Sequence, residues 1–338
     1  VITMKPKVLI DTGFRPRELV FGPEDWAHVQ DICDVQWGID GPIPEDQFDS
    51  LRDVEAIVGG WWRYGDLTAW PKLKGFLEVG GGLPRPDKFD YPYAFAQNIR
   101  VLSCAPAFGP AVAEMGITLA LDAARMVSRT DAEFRTGTEY WSHSSFRGEF
   151  TLYGKTIGMI GFGGLAQSLR KLLAPWNPHL LVFDPWMTDA YIASQGAEPV
   201  GIDDLLRRSD VTFVLAAPSE SNLGLLSREK LALIPDDKVL VLLSRAHLVD
   251  FEALTDEVLS GRLRAGIDVF PEEPLSADHR IRTAVNAVLS SHRAGAQVES
   301  IRRIGTLVAR DLEAILRGLP PREMQSAEPE YLNLRGNV

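Results

Sequence analysis

Residues Thr156–Asp184 read TIGMIGFGGLAQSLRKLLAPWNPHLLVFD, and their order predicts strand, glycine turn, helix, strand. Ile157 to Ile160 is a β-prone apolar run. Gly161, Gly163 and Ala166 then occupy the three small-residue positions of G-x-G-x-x-G/A. Gly164 and Leu165 open the helix, and Leu165, Leu169, Leu172 and Leu173 recur at helical spacing until Pro175 stops it. Leu180 to Phe183 is a second apolar strand and runs into Asp184.

Each small residue in this stretch has a physical task. Gly161 permits the tight turn out of the strand. Gly163 leaves the backbone open to a pyrophosphate. Ala166 lets the helix lie close on the sheet. The N–H groups and positive dipole end of the helix, at Gly163, Gly164 and Leu165, would face phosphates. Asp184 stands where an acid can accept from both hydroxyls of an adenosine ribose. It would repel a 2′-phosphate, so NAD is expected over NADP.

Outward from this unit, strands and helices alternate. Lys7–Ile10, Val54–Val58, the end of Pro71–Val79 and Ile99–Cys104 read as strands of a small parallel-sheet domain, with a helix over Pro16–Val29. Ala111–Val127 is apolar all round and reads as a buried helix. Beyond Asp184, strands are expected at Val211–Ala216, Val239–Leu243, Leu263–Asp268 and Ala287–Ser290. Helices are expected at Asp203–Arg208, Leu226–Leu233, Asp250–Leu259 and Ser300–Leu316. The fold class is therefore α/β, with two Rossmann-like doubly wound domains. An NAD-binding domain over 106–296 is inserted into a flavodoxin-like substrate domain made of 1–105 and 297–338. Crossings are expected near 103–110 and 293–300, and the cleft between domains is the default ligand site.

The chain has 338 residues, enough for two domains. Its 35 Lys and Arg against 46 Asp and Glu give a net charge of −11, which disfavours nucleic acid and anionic membranes as partners. Two cysteines, Cys33 and Cys104, suit a reduced cytoplasmic protein. No CxxC or metal-spaced His/Cys cluster occurs, so no metal is expected. The N-terminal VITMKPKVLID has no signal core, and no run reads as a membrane span.

Arg245, Asp268 and His292 each sit just past a predicted strand end, where doubly wound sheets bind ligands, and Glu273 follows Asp268 in DVFPEEP. These types suit hydride transfer with a coupled proton. Arg245 can hold a carboxylate in two-pronged fashion and polarise a neighbouring carbonyl. His292 can give or take the hydroxyl proton. Glu273 can hold the other ring nitrogen, and Asp268 can accept from a nicotinamide amide. The other histidines, His28, His143, His179, His247 and His279, read as bystanders.

Across roughly residues 50–320 the sequence resembles the D-isomer-specific 2-hydroxyacid dehydrogenase family. GFGGLA resembles its cofactor turn, and VFDP its ribose-acid strand. LLSRAHLVDFEAL is similar to N-[TV]-[SA]-R-G-x-x-V-D-x-x-A-L, AGIDVFPEEPL to A-G-L-D-V-F-x-x-E-P, and SSHRAG to T-P-H-x-A-G. PAVAEMGITLALDAAR resembles the V-A-E helix. The resemblance implies catalytic roles for Arg245, Glu273 and His292. It implies cofactor contacts at Gly161, Gly163, Gly164, Leu165, Asp184, Pro218, Ser244 and Asp268. It also implies a homodimer through the cofactor domains and an NAD-dependent D-2-hydroxyacid dehydrogenase taking a 2-hydroxy or 2-oxo acid. A dinucleotide-sensing, corepressor-like protein on the same fold is the alternative. Leu242 and Ala246 replace the family's Asn and Gly, and Leu215–Pro218 replaces L-H-x-P. The loops GGWWRYG and VGGGLPRPDKFDYPYAF depart most. Trp61, Gly81 and Gly82 are the expected substrate contacts; the adjacent Trp61 and Trp62 read by default as packing residues, with a pair walling the substrate pocket as the alternative.

Overall fold

The computed structural model describes residues 4–13, 15–141 and 147–335. His143 lies outside them. The chain divides into two compact units, Val1–Phe108 with Ala296–Val338, and Gly109–Gly295.

The first unit carries β1 (Lys7–Asp11), β2 (Asp34–Trp37), β3 (Ala56–Gly59), β4 (Gly75–Glu78) and β5 (Arg100–Ser103). All pair in parallel, in the order β5-β4-β3-β1-β2. The inner strands read AIVG and GFLE and are buried along their whole length, as sheets covered on both faces require. One face is covered by the helix Val298–Leu316, whose Ile304, Leu307, Val308, Leu312 and Ile315 join Val8, Ile10, Val58 and Leu77 in one core. The other face is largely aromatic, with Phe48, Trp62, Tyr64, Trp70, Phe76 and Phe89. The single helix expected over Pro16–Val29 is two, Arg17–Val20 and Pro23–Ile32, because Gly22-Pro23 interrupts it and Pro23 starts the second.

The second unit carries β6 (Thr156–Ile160), β7 (His179–Phe183), β8 (Glu198–Pro199), β9 (Val211–Val214), β10 (Val239–Leu242), β11 (Arg264–Ile267) and β12 (Ala287–Leu289). The order is β12-β11-β10-β9-β6-β7-β8, parallel throughout. The chain winds outward from β6 in both directions. This is the doubly wound order, with its switch point between β6 and β9. The helix Ala105–Arg125 is long and apolar enough to cross a membrane by length and composition alone, which the sequence did not lead one to expect, and half of that stretch is buried in the protein. It packs on the second sheet at two close approaches. A side chain on Gly116 would strike Leu243, and one on Gly266 would strike Leu119. The last strand, β13 (Gln325–Ser326), returns to the first unit and pairs antiparallel with β5 at Leu102 and Ser103.

Candidate active site

The glycine turn is built as its residue types demand. Gly161 has φ +92°, and a Cβ there would lie 2.5 Å from Cα of Ala216, so the turn rests directly on the backbone after β9. Gly163 is the N-cap of the helix Gly164–Leu173 and supplies no side-chain cap. Added Cβ atoms at Gly163 and Gly164 meet nothing within 4 Å. Open space over an uncapped helix start is what a pyrophosphate needs. Ala166 is fully buried against the sheet, and Leu165 is half-buried.

Asp184 is fixed by two backbone donors. Oδ2 accepts from the Phe162 N–H at 2.7 Å, and Oδ1 accepts from the Trp186 N–H at 2.9 Å. The acid is thereby tied to the glycine turn, and each oxygen keeps acceptor capacity for a hydroxyl. Beside it Val182, Phe183, Met187, Ile192 and Pro199 help to line a cavity of about 400 Å³. Pro218 lies in a segment held by Asn222, which donates Nδ2 to the Ala217 carbonyl at 2.8 Å and accepts from the Ser219 N–H at 2.8 Å. Ser244 is buried, and its Oγ has no protein partner among the described residues, as a group reserved for a ligand would be. These observations fit a dinucleotide: an open cradle, an uncapped helix start, a fixed acid and an orphaned hydroxyl.

The chemical residues follow three adjacent parallel strands. Arg245 comes after β10, Asp268 after β11 and His292 after β12, so all three stand at the same edge of the sheet as the glycine turn. Arg245 is exposed and donates Nη1 to the Ser244 carbonyl at 2.7 Å. Its neighbour Ala246 takes no left-handed φ, so the glycine expected there is not required. Glu273 Oε2 lies 2.6 Å from His292 Nδ1, and Oε1 accepts from the Phe270 N–H at 3.0 Å. Burial alone would raise the Glu273 carboxyl. The His292 and Phe270 hydrogen bonds and the charges of His292 and Arg245 outweigh it, holding the group below its ordinary 4.5. With Nδ1 committed, Nε2 is the nitrogen left to exchange a proton.

The two adjacent tryptophans take different places, and one histidine differs from expectation. Trp62 is a core residue: it is 8% exposed, donates Nε1 to the Gly65 carbonyl at 2.9 Å, and meets Tyr64, Phe76 and Phe89 edge-on. Trp61, one residue earlier, is 58% exposed. His247, set aside as a bystander, belongs to the arginine loop. Its Nε2 is buried without a protein partner among the described residues, and burial followed by the Arg245 charge pushes its pKa down. Its adjacency to Arg245 in sequence was the available signal. Gly81 and Gly82 follow β4. A Cβ on Gly81 would just touch Phe108, and one on Gly82 would meet nothing.

Comparison with known proteins identifies the family. The NAD binding domain of the D-isomer specific 2-hydroxyacid dehydrogenases matches residues 117–294. D-3-phosphoglycerate dehydrogenase of Mycobacterium tuberculosis is 30% identical over 94% of this chain; the chain spans only 58% of that protein's length. Glyoxylate reductase of Thermofilum pendens is 31% identical over 87% of this chain and 88% of its own. A phosphoglycerate oxidoreductase crystal structure from Rhizobium etli has a TM-score of 0.86 at 32% identity, covering 96% of this chain and 99% of that one. The chain belongs to the D-isomer specific 2-hydroxyacid dehydrogenase family, and its second unit is that family's NAD-binding domain.

Proposed function

We propose that the protein is an NAD-dependent oxidoreductase that interconverts a D-2-hydroxy acid and the matching 2-oxo acid. The observation that carries this is the 2.6 Å pair between Glu273 and His292, set with Arg245 at the same sheet edge as the dinucleotide turn. The bound nicotinamide supplies or takes the hydride. Arg245 clamps the α-carboxylate and polarises the 2-oxo group. His292 gives its Nε2 proton to the nascent alkoxide during reduction and accepts it back during oxidation. Glu273 keeps the ring oriented and balances the imidazolium charge. Ser244 and Asp184 would help to hold the cofactor. The relatives described above are named for redox reactions, which favours this reading over a corepressor-like sensor.

For the substrate's side chain, the loops after β3 and β4 are the proposed recognition elements. Trp61 is exposed there, and Gly81 and Gly82 keep the backbone accessible. Arg63 of the same loop is committed to Asp11 and to the Ile43 carbonyl, so it serves the fold. A homodimer through the second unit is supported by an exposed apolar group, Val127, Phe134, Tyr140 and Trp141, on and after the helix Val127–Thr136. A reduced, cytoplasmic setting fits the two buried thiols; burial pushes Cys33 up to about 12.

The test is a panel of 2-oxo acids, from glyoxylate to aryl-substituted and phosphorylated members, with NADH and NADPH. Turnover with NADH, reduced 10²–10⁴-fold in His292→Ala, is expected. No turnover on any member, or a near-wild-type kcat/KM in His292→Ala, would overturn the proposal.

A further inference from the structure

Asp268 follows the last residue of β11 and has no exposed surface. Among the described residues its carboxylate accepts three hydrogen bonds, and all come from the segment that carries His292. Oδ1 accepts from Ser290 Oγ at 2.6 Å and from the Arg293 N–H at 2.9 Å. Oδ2 accepts from the Ala294 N–H at 3.0 Å. The Asp268 carbonyl accepts from the His292 N–H itself at 2.8 Å. One residue therefore gathers both sides of the histidine.

His292 has φ +54°, a left-handed conformation that a residue with a Cβ adopts only when its surroundings over-determine it. The donors at 290, 293 and 294 bracket that position, and Glu273 touches only the ring. The ring partner can orient an imidazole, but it cannot hold a backbone in a sparsely populated region. The buried carboxylate can, because charge-assisted bonds to backbone N–H groups are strong and directional. Three of its acceptor directions are spent on this task, which leaves one, on Oδ2, for the nicotinamide amide expected from the sequence.

We propose that Asp268 is a positioning residue for the acid–base histidine: its carboxylate fixes the left-handed turn at His292 and so aims Nε2. The kinetic consequence rests on the oxidoreductase reading above; the conformational one does not. Ser290 reports on the same device, since its hydroxyl is one of the three donors. Ser291 offers a rescue. Among the described residues its N–H makes no bond that holds the segment, its φ is not left-handed, and Ser290 before it follows directly on β12, so a proline there would stiffen the turn without removing a donor.

The experiment compares wild type, Asp268→Asn, Ser290→Ala and Ser290→Ala/Ser291→Pro by steady-state kinetics, NADH binding and amide hydrogen exchange over residues 290–294. In Ser290→Ala we expect kcat to fall about tenfold, because small misplacements of a reacting group are costly. Its NADH Kd should stay within twofold, exchange at 292–294 should quicken, and the added proline should restore both. Asp268→Asn should lower kcat and quicken exchange at 292–294 more strongly, and it should also weaken NADH binding, because the same carboxylate faces the nicotinamide amide. If that buried change prevents folding, Ser290→Ala decides alone. Unchanged kcat and exchange in Ser290→Ala would overturn the proposal. So would an Asp268→Asn that weakens NADH binding while leaving exchange unaltered, since that is the behaviour of a cofactor ligand only. A wild type with no turnover on any 2-oxo acid would defeat the functional reading, and the exchange measurement would still decide this one.

Discussion

Gly161 depends on having no side chain. At φ +92°, with Ala216 Cα 2.5 Å from where a Cβ would be, alanine meets both backbone strain and a backbone collision. Gly161→Ala is expected to destabilise the protein by roughly 2–5 kcal/mol, read from the urea midpoint. Glu273 makes a pH prediction. Its carboxyl is held below 4.5, so its pairing with His292 contributes fully above that value and is lost as pH falls through the lower folded value. Glu273 should therefore put no acid limb into kcat/KM at pH 5 or above, and Glu273→Gln should lower kcat/KM about 10–100-fold. An acid limb above pH 5 that vanishes in Glu273→Gln would contradict this. Residues of this kind were legible in the sequence because chemistry or sterics restricts the type. Trp61 and Trp62 were not separable: they are the same residue at adjacent positions, and only the fold sends one to solvent and the other into an aromatic core. Asp268 was legible as an acid just past a strand end, but its bonds to the histidine segment were not, because they join residues 22 to 26 apart along the chain.

The inner strands of both sheets could be read because they are apolar runs followed by turn residues. Three edge or two-residue strands could not. β2 is DVQW at a sheet edge, with every position at least partly exposed, and β8 and β13 have two residues each. β13 exists because of a distant acid. Asp311, 2% exposed on the helix Val298–Leu316, accepts from the N–H groups of Arg322, Glu323 and Met324 at 2.7–3.2 Å. That clamp delivers Gln325 and Ser326 to β5. Asp311→Ala leaves those donors unsatisfied and should cost roughly 2–4 kcal/mol. Amide exchange over 322–327 should accelerate before the rest of the sheet does; uniform exchange across the sheet would show that the clamp does not set the strand. The same helix meets its neighbour closely. A Cβ on Gly305 would lie 2.2 Å from the Val20 carbonyl oxygen, which explains a glycine in mid-helix at a cost propensity alone would oppose.

At the scale of the whole chain, an acidic protein of net charge −11 still carries an exposed apolar group around Phe134 and Trp141. If this is where two copies meet, sedimentation should report a dimer, and Phe134→Glu should shift it to monomer with the thermal midpoint of the second unit little changed. A wild-type monomer would remove the dimer proposal. The discontinuous make-up of the first unit bears on how the chain folds as it is synthesised. The first unit's five parallel strands are complete by Ser103, yet the helix that buries one of their faces begins only at Val298. Roughly 190 residues of the second unit are synthesised in between, which at ribosomal rates takes on the order of 10–40 s. Through that interval Val8, Ile10, Val58 and Leu77 lack the last helix and keep only the partial cover of Val20, Phe21 and Val29, while the second unit, continuous in the chain, can fold as it emerges. Stalled nascent chains ending near residue 295 should thus resist protease over 109–295 and be cut within the first hundred residues. Protection there before the last helix appears would mean the early strands find another cover, with a chaperone the natural candidate for those seconds of exposure.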